Sequence, residues 1–434
     1  MPNSTNFVIY NAVFFVLLFF ISLFNKDSNK LLKSYVLLLW AISAVSSIFM
    51  HIMMPWMSSN ITLPPYIYLQ VCFLIYMIPI YKFKDTNLNY IKISNPELLE
   101  YFIVFVSLIS LLPFVENTIY LFKTYVIGGG NLGVLESTYY LKNEVTVDAN
   151  LMSDSWLSRP GRFLNNGIRY LYYSLPFLLF YYLTYSNVNK ILLAGLTMAI
   201  LCKIFFDLNM ADRMNITYFS LDVLFLFILF RKHIPTGRKK RLVKYGSIVL
   251  ICFFLFFTTM TIARQYSRSA REKHDNVEFV LFYIAVPQLN FNNYMWHIEQ
   301  HTQGDNSFSF VKSTVGLPTF KKNLEKREYW NSDRTGIPVH VFYTFIGDWF
   351  MDLGKIGTLL FILILSVLLK NATKDKRCIS LIALFFFYIY CDIAIRGWTF
   401  FGIKAYTGQL ILFINIMIVL IISSAKFPRK NLSK

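Results

Sequence analysis

The chain has 434 residues, of which 56% are hydrophobic, 18% are aromatic and only 15% are charged. A water-soluble domain of this length cannot bury so much apolar surface, so the composition excludes a soluble globular protein and indicates a chain that lies in lipid. The net charge of +18 follows membrane topology along the chain, and we expect no nucleic-acid partner.

Apolar runs of spanning length recur along the whole chain and predict an all-α polytopic membrane protein. We expect about 11 transmembrane helices, within a range of roughly 10–12, forming a single integral membrane domain over residues 1–434. The predicted spans are 7–24, 34–54, 66–81, 98–123, 168–185, 190–208, 214–230, 246–263, 342–369, 378–395 and 403–425.

The distribution of Lys and Arg orients these spans, because connections rich in basic residues face the cytoplasm. The connection RKHIPTGRKKRLVK, residues 231–244, holds seven basic residues and no acid. Successive connections lie on alternate sides of the membrane. With this connection in the cytoplasm, we predict that the N-terminus lies outside and the C-terminus in the cytoplasm.

Two long segments then fall outside the membrane as external loops, residues 124–167 and 264–341. In the second loop, ten basic residues are nearly balanced by eight acids. This loop contains VEFVLFYIAVPQLNFNNYMWHI, residues 277–298, whose pattern predicts an amphipathic helix lying on the outer surface and broken at Pro287.

The stretch YTFIGDWFMDLGKIG, residues 343–357, brings acid and glycine to the point where the chain re-enters the membrane. One interpretation is structural: Asp348 and Asp352 cap a helix start, where a carboxylate satisfies free N–H groups. The other is functional: both carboxylates face an outer, water-accessible cavity, and one of them accepts a proton there. His340, shortly before the stretch, is a third candidate because histidine titrates near neutral pH.

Arginines at the outer ends of the predicted helices are not explained by the bias of basic residues toward the cytoplasm. A guanidinium donates two parallel hydrogen bonds to diphosphate oxygens and stays charged, so arginines converging on one face predict an anionic-ligand site. For a single arginine the alternative is snorkelling or pairing with a neighbouring acid, as Arg396 can pair with Asp392 at i,i+4. The candidates are Arg159, Arg169, Arg213, Arg264, Arg268 and Arg396.

Charges also lie deeper in the predicted bilayer. Lys203 and Asp207 are at i,i+4 in the sixth span, so we expect them to share a helix face and pair, either for packing or for function. The sequence has no phosphate-binding glycine loop and no convincing set of metal ligands, and we expect neither a metal nor a cofactor.

Residues 341–357, VFYTFIGDWFMDLGKIG, and the turn ADR ending at Arg213 are similar to motifs of the Wzy-type bacterial oligosaccharide repeat-unit polymerases, which make O-antigen or capsule. Members commonly show an aromatic-Thr-Phe stretch, an acid-aromatic-Gly turn and a second Gly at short spacing. The order of spans and the two outer loops resemble this family over nearly the whole chain, although the paired R-x10-G pattern of some members is absent. The matching positions are Tyr343, Thr344, Phe345, Asp352, Leu353, Gly354 and Gly357.

The resemblance implies an enzyme of the bacterial cytoplasmic (inner) membrane whose active site faces the periplasm or exterior. Such enzymes transfer a glycan from one undecaprenyl diphosphate to a sugar hydroxyl on another. The arginines and Tyr343 are then the substrate-binding candidates, and Asp352, Asp348 or His340 accepts the proton. Asp352 is favoured among these because it lies in the turn that resembles the family. The implied partners are the undecaprenyl-diphosphate-linked oligosaccharide, membrane lipid and a protein that regulates chain length.

Other functions share parts of this pattern. An O-antigen ligase-like transferase has the same arrangement of loops and spans. A lipid-phosphate-sugar glycosyltransferase of the mannosyltransferase kind usually places acids in the first outer loop, whereas HIMMPWMSSNITLPPY here has none. A flippase that moves lipid-linked oligosaccharide without chemistry is disfavoured because the sequence shows no internal repeat.

Overall fold

The computed structural model describes the chain except for residues 1, 26, 28, 59, 85–87, 89–90, 94–95, 128–155, 211, 249–250, 252–275, 320–323, 339–340, 375–377, 400 and 425–434. The described part is almost entirely helical, and residues 236–248 are helical in addition to fourteen bounded α-helices. These helices are α1 (Pro2–Phe24), α2 (Lys30–Met53), α3 (Leu63–Lys82), α4 (Pro96–Phe122), α5 (Arg159–Tyr170), α6 (Ser174–Tyr182), α7 (Lys190–Asn209), α8 (Arg213–Phe230), α9 (Asn276–Asn293), α10 (Ser309–Thr314), α11 (Leu324–Thr335), α12 (Phe345–Thr373), α13 (Leu381–Arg396) and α14 (Tyr406–Ser424).

Strands are minimal in the described residues: β1 (Ile91–Lys92) pairs with β2 (Ile379–Ser380). Seven of the described helices are long and apolar enough to cross a membrane, namely α1, α2, α3, α4, α7, α12 and α14. The segment Met214–Phe230 within α8 is a shorter apolar helix. An all-α membrane protein is therefore the class of this fold. The predicted span 246–263 lies largely outside the described residues.

The chain forms two compact units, each assembled from distant segments of sequence. The first unit is Met1–Ile91 with Val277–Phe413, and the second is Lys92–Asn276 with Ile414–Lys434.

Aromatic packing joins α2, α3, α12 and α13 in the first unit. The ring of Trp40, which is fully buried, lies 4.3 Å from that of Phe73 and 5.8 Å from that of Phe345 between centroids. Tyr76 and Tyr390 stack at 3.9 Å, and each hydroxyl donates a hydrogen bond to the other residue's carbonyl, at 2.7 and 2.6 Å. Helices in lipid gain little from burying apolar surface against each other, so such close contacts and interhelical hydrogen bonds hold the bundle together.

The helix α9 corrects the sequence-based prediction for residues 277–298. It passes through Pro287 without ending there, and from Ala285 to Asn293 every side chain is buried, so it is not a surface helix. A proline frees carbonyl groups in the preceding turn, and serine side chains are suitable donors for them. Ser43 Oγ donates to the carbonyl of Ile284 and Ser47 Oγ to that of Ala285, each at 2.8 Å.

Amide side chains on α9 attach it to three other helices of the first unit. Gln288 accepts a hydrogen bond from Asn11 of α1 at 2.7 Å and donates to the carbonyl of Trp40 in α2 at 3.2 Å. Asn292 accepts from the backbone N–H of Thr62 at 3.0 Å and donates to its carbonyl at 2.7 Å, directly before α3. These polar residues indicated a solvated face in the sequence, but their partners lie more than 200 positions away.

In the second unit α4 packs closely along α7. A Cβ added at Gly195 of α7 would lie 2.1 Å from Ser107 Oγ of α4, so the two backbones approach as small residues allow. Asn117 of α4 is fully buried; its side chain accepts from Trp156 Nε1 at 3.0 Å, and its carbonyl accepts from Asn209 Nδ2 at 3.0 Å.

The prediction of one continuous span over 168–185 is wrong, because α5 ends at Tyr170 and the nine-residue α6 begins at Ser174. Asn415 satisfies the backbone groups that this break exposes. Its Oδ1 accepts from the N–H of Ser174 and its Nδ2 donates to the carbonyl of Tyr170, both at 2.7 Å.

The predicted ion pair inside the sixth span is confirmed. Lys203 Nζ and Asp207 Oδ2 are 2.5 Å apart, and both side chains are about 6% exposed. Lys203 Nζ also lies 4.4 Å from the ring centroid of Tyr172, whose hydroxyl donates to Asp222 Oδ2 at 3.3 Å. A charged pair in this position is expensive to insert, and the cation–π contact with Tyr172 partly offsets the lost hydration of the ammonium.

Candidate functional site

The acid and glycine stretch forms the first two turns of α12, but neither aspartate caps the helix. Thr344 is the N-cap, and its side chain accepts from the N–H of Gly347 at 3.3 Å. The N–H of Phe345 donates to the carbonyl of Gly397 at 2.8 Å, which fixes the start of α12 against the end of α13. The capping interpretation of Asp348 and Asp352 is therefore wrong, since a threonine carries that role.

Gly354 interrupts α12 two residues after Asp352. Its φ is 68° and its ψ is −173°, a conformation that residues with a Cβ avoid. The carbonyl of Met351, just before the interruption, accepts from the N–H of Thr302 at 2.9 Å. A Cβ at Gly354 would also lie 2.7 Å from His301 Nε2, so the torsion angle favours glycine and an added Cβ would displace the His301 ring.

Asp352 holds the turn formed by residues 302–307. Its Oδ1 accepts from Thr302 Oγ1 at 2.5 Å and from the N–H of Asn306 at 3.0 Å. Its Oδ2 accepts from the N–H of Ser307 at 2.7 Å. Asp352 is only 3% exposed, and its carboxylate accepts three hydrogen bonds. These contacts are those of a structural residue that anchors the turn.

Asp348 has a different environment one helical turn earlier. The carboxylate is fully buried, and its Oδ1 accepts from Asn306 Nδ2 at 2.9 Å and lies 3.2 Å from Lys404 Nζ. Among the described residues, no donor lies within hydrogen-bonding distance of Oδ2. A buried carboxylate oxygen without a donor costs free energy, so this atom is a candidate for contact with a ligand, as is Asp392 Oδ2 of α13.

Lys404 and Tyr343 complete the surroundings of Asp348. Lys404 Nζ lies 4.8 Å from the ring centroid of Tyr343, and both residues are less than a tenth exposed. Tyr343 is a sequence candidate, whereas Lys404 was missed because a lysine at the edge of the last apolar run has the pattern of an interfacial cation. The sequence did contain one indication of its role: Lys404 and the acidic stretch are both predicted to lie at the outer face of the membrane.

Arg396 lies at the end of α13, adjacent to the start of α12. Its Nε donates to Asp392 Oδ1 at 2.7 Å, and Asp392 is fully buried. The i,i+4 pairing that was the alternative interpretation of Arg396 is thus present. The first unit brings Asp348, Asp352 and Tyr343 together near the start of α12, whereas Arg396 is linked to this region only through the backbone contact between Gly397 and Phe345.

The remaining candidates divide between the second unit and residues outside the described part of the chain. Arg159 and Arg169 are exposed on α5, and the Arg169 guanidinium lies 4.7 Å from the ring centroid of Phe206. Arg213 is the first residue of α8, which begins after the N-cap Asp212. Arg264, Arg268 and His340 lie outside the described residues.

Among the described residues, no group of three His, Cys, Asp or Glu side chains is arranged to hold a metal ion. Comparison of the chain with protein-family models, curated proteins and solved structures finds no match. The class that fold and composition define is a multi-pass, all-α membrane protein with a buried polar cluster at a helix interruption.

Proposed function

We propose that the chain is a glycosyltransferase that polymerises undecaprenyl-diphosphate-linked oligosaccharide repeat units on the outer face of the bacterial cytoplasmic membrane. The observation that carries the proposal is the buried carboxylate of Asp348, with one oxygen on Lys404 and the other without a donor among the described residues. Intramembrane ionisable groups are costly and concentrate at functional sites, which makes this cluster the strongest candidate in the first unit.

The reaction assigns each group a defined task. The acceptor sugar hydroxyl attacks the anomeric carbon of the donor glycan, a new C–O bond forms, and the bond from that carbon to the diphosphate oxygen breaks. Asp348 Oδ2 accepts the hydroxyl proton, while Lys404 keeps the carboxylate ionised. The bond-breaking electrons leave on undecaprenyl diphosphate, whose developing charge is stabilised by cationic donors.

Within this proposal the catalytic role moves from Asp352, which the sequence favoured, to Asp348. Asp352 already accepts three hydrogen bonds from the 302–307 turn, so it has little capacity left to accept a proton. That turn also covers Asp348, since Asn306 donates to its Oδ1 at 2.9 Å. The proposal therefore requires that the 302–307 turn move on glycan binding, so that the acceptor hydroxyl can reach Asp348.

The diphosphate is assigned to the arginines. Arg396 is close to the start of α12, and Arg159, Arg169, Arg213, Arg264 and Arg268 are the further candidates from the sequence. Lysine is a poor substitute at a bidentate site because an ammonium is a point charge. Membrane orientation with the N-terminus outside, and a partner that regulates chain length, belong to the same proposal.

The test is reconstitution of the full chain in proteoliposomes with the undecaprenyl-diphosphate-linked repeat unit as sole substrate. The proposal predicts release of undecaprenyl diphosphate in step with lipid-linked products of two and more repeats, measured by mass spectrometry. Products absent until a second, different acceptor lipid is added identify a ligase. Translocation of the substrate across the bilayer without a new glycosidic bond identifies a flippase, and either result overturns the proposal.

A further inference from the structure

A basic groove lies in the second unit, between the end of α8 and the helical residues 236–248. Its volume is about 460 Å³. Four of its six lining residues are basic, and the other two are apolar. The sequence contains no Asp or Glu from residue 223 to residue 271, so the charged residues of the segment that forms the groove are all basic. The lining residues are Phe227, Arg231, Lys232, Lys239, Lys240 and Val243.

The walls of the groove are fixed by a neighbouring arginine that does not line it. Arg238 donates to the carbonyls of Leu183, Tyr185 and Ser186, which follow the end of α6. Its guanidinium thereby holds the turn that follows α6 against the helical residues 236–248. Arg238 is thus a structural residue, and the lysines that follow it are held in a defined position.

Apolar side chains are exposed on the same helical segment as the lysines. Val243 is 50% exposed, Tyr245 is 61% and Ile248 is 49%. Exposed apolar residues interleaved with lysines are the pattern of a helix that lies at the boundary between lipid headgroups and acyl chains. A ligand in the groove therefore meets both positive charge and apolar side chains.

We propose that this groove binds the phosphate headgroup of an anionic phospholipid from the surrounding leaflet, which the charge bias of the sequence identifies as the cytoplasmic one. Arg231, Lys239 and Lys240 complement the phosphate, and Phe227 and Val243 contact the upper part of an acyl chain. A free phosphate ion gains nothing from the apolar lining residues, whereas a lipid can contact both the cations and the apolar residues. The inference uses only the charge bias of the sequence and the residues of the groove, and does not depend on a glycosyltransferase activity.

The test is lipid binding by the purified, delipidated full chain, measured by native mass spectrometry. Phosphatidylglycerol and phosphatidylcholine with identical acyl chains are the two probes. The wild type should bind phosphatidylglycerol at least tenfold more tightly, and the preference should weaken with salt. The double substitution Lys239→Gln/Lys240→Gln should weaken phosphatidylglycerol binding about 30-fold, since each basic residue near an anionic lipid surface contributes about 1 kcal/mol.

The matched control is Lys370→Gln/Lys374→Gln, which removes two charges from the end of α12 and should leave binding unchanged. Thermal unfolding in lipid-free detergent checks that the variants fold; if the double variant does not, Lys240→Gln alone should show about a fivefold loss. Equal binding of the two lipids, or unchanged binding after loss of both lysines, overturns the proposal. So does displacement of phosphatidylglycerol by inorganic phosphate at comparable concentration, which identifies a site for a small anion.

Discussion

Asp348 Oδ1 and Lys404 Nζ are 3.2 Å apart, with the carboxylate fully buried and the lysine only 9% exposed. Removing one partner leaves the other as an unpaired buried charge, which costs about 3–5 kcal/mol. Removing both leaves no charge, so much of that loss should be recovered. We predict that Asp348→Asn and Lys404→Gln each lower the midpoint of thermal unfolding strongly. The midpoint of the double variant should be well above the value expected from adding the two single losses.

The measurement is a double-mutant cycle on the purified protein in detergent, with Lys355→Gln as the control. Lys355 is also on α12, but its Nζ lies 3.9 Å from the ring centroid of Trp296 and not against a buried acid. Strict additivity of the two single losses would show that Asp348 and Lys404 do not interact.

The same double variant separates structure from catalysis. If Asp348 accepts the hydroxyl proton, Asp348→Asn/Lys404→Gln should reach near-normal abundance and still lose polymerisation by about 10²–10⁴ in rate. The readout is the length ladder of surface polysaccharide from cells lacking the native gene, compared with a blot for the protein. A normal long-chain ladder from this variant would remove Asp348 from the mechanism.

For Asp352 the expected result is a loss of stability. An asparagine there directs an amide N–H₂ at one of the donors from the 302–307 turn, and a lost buried hydrogen bond of this kind costs about 1–3 kcal/mol. Asp352→Asn should therefore lower the unfolding midpoint, and polysaccharide synthesis should fall only in proportion to protein abundance. Thr302→Val, which removes one donor, should reproduce a smaller part of the effect. Full stability with abolished polymerisation would return the catalytic role to Asp352.

Gly354→Ala should damage the same region through the backbone. The left-handed φ of 68° costs about 1–3 kcal/mol for a residue with a Cβ, and the new atom meets His301 at 2.7 Å. Gly167→Ala in α5 is the matched control, because nothing lies within 4 Å of an added Cβ and the helix gains from alanine. Thermal unfolding of both variants is the check, and equal midpoints would contradict the strained geometry.

Membrane orientation is tested independently of any catalytic role. A reporter that is active only outside the cytoplasm should work when fused after residue 150 or 305 and fail after residue 240 or 374. Activity at 240 would place the basic connection outside and reverse the assignment of every outer-face candidate.

The sequence predicts those features of the fold that depend on nearby residues. The lengths of apolar runs locate the long helices, and the i,i+4 spacing is sufficient to pair Lys203 with Asp207. The break between α5 and α6 is not predictable in this way, because Asn415, which satisfies it, lies over 240 positions later. Propensity and periodicity carry no information about such a partner.

The candidate site shows the same division. Acid and glycine in an apolar region identify the segment around Asp348 and Asp352, since composition alone makes them anomalous. Which of the two carboxylates accepts a full set of hydrogen bonds depends on the 302–307 turn. No local sequence pattern predicts that this turn packs against α12. The sequence did not identify Lys404 as a site residue for a related reason. A charged residue indicates a site only when its partner is known, and the partner of Lys404 is distant in sequence.

The amide side chains of α9 constrain the order in which the first unit can assemble. Gln288 and Asn292 find their partners on residues translated 277 and 230 positions earlier, at Asn11 and Thr62. Until those helices are in place, the amides of α9 lack these partners, and a buried amide without a partner is unfavourable. Membrane insertion must therefore keep α1–α3 available, with their polar faces open, while the whole of residues 92–276 is synthesised. An insertion machinery that released α1–α3 into lipid as a closed bundle would trap the chain before α9 could join.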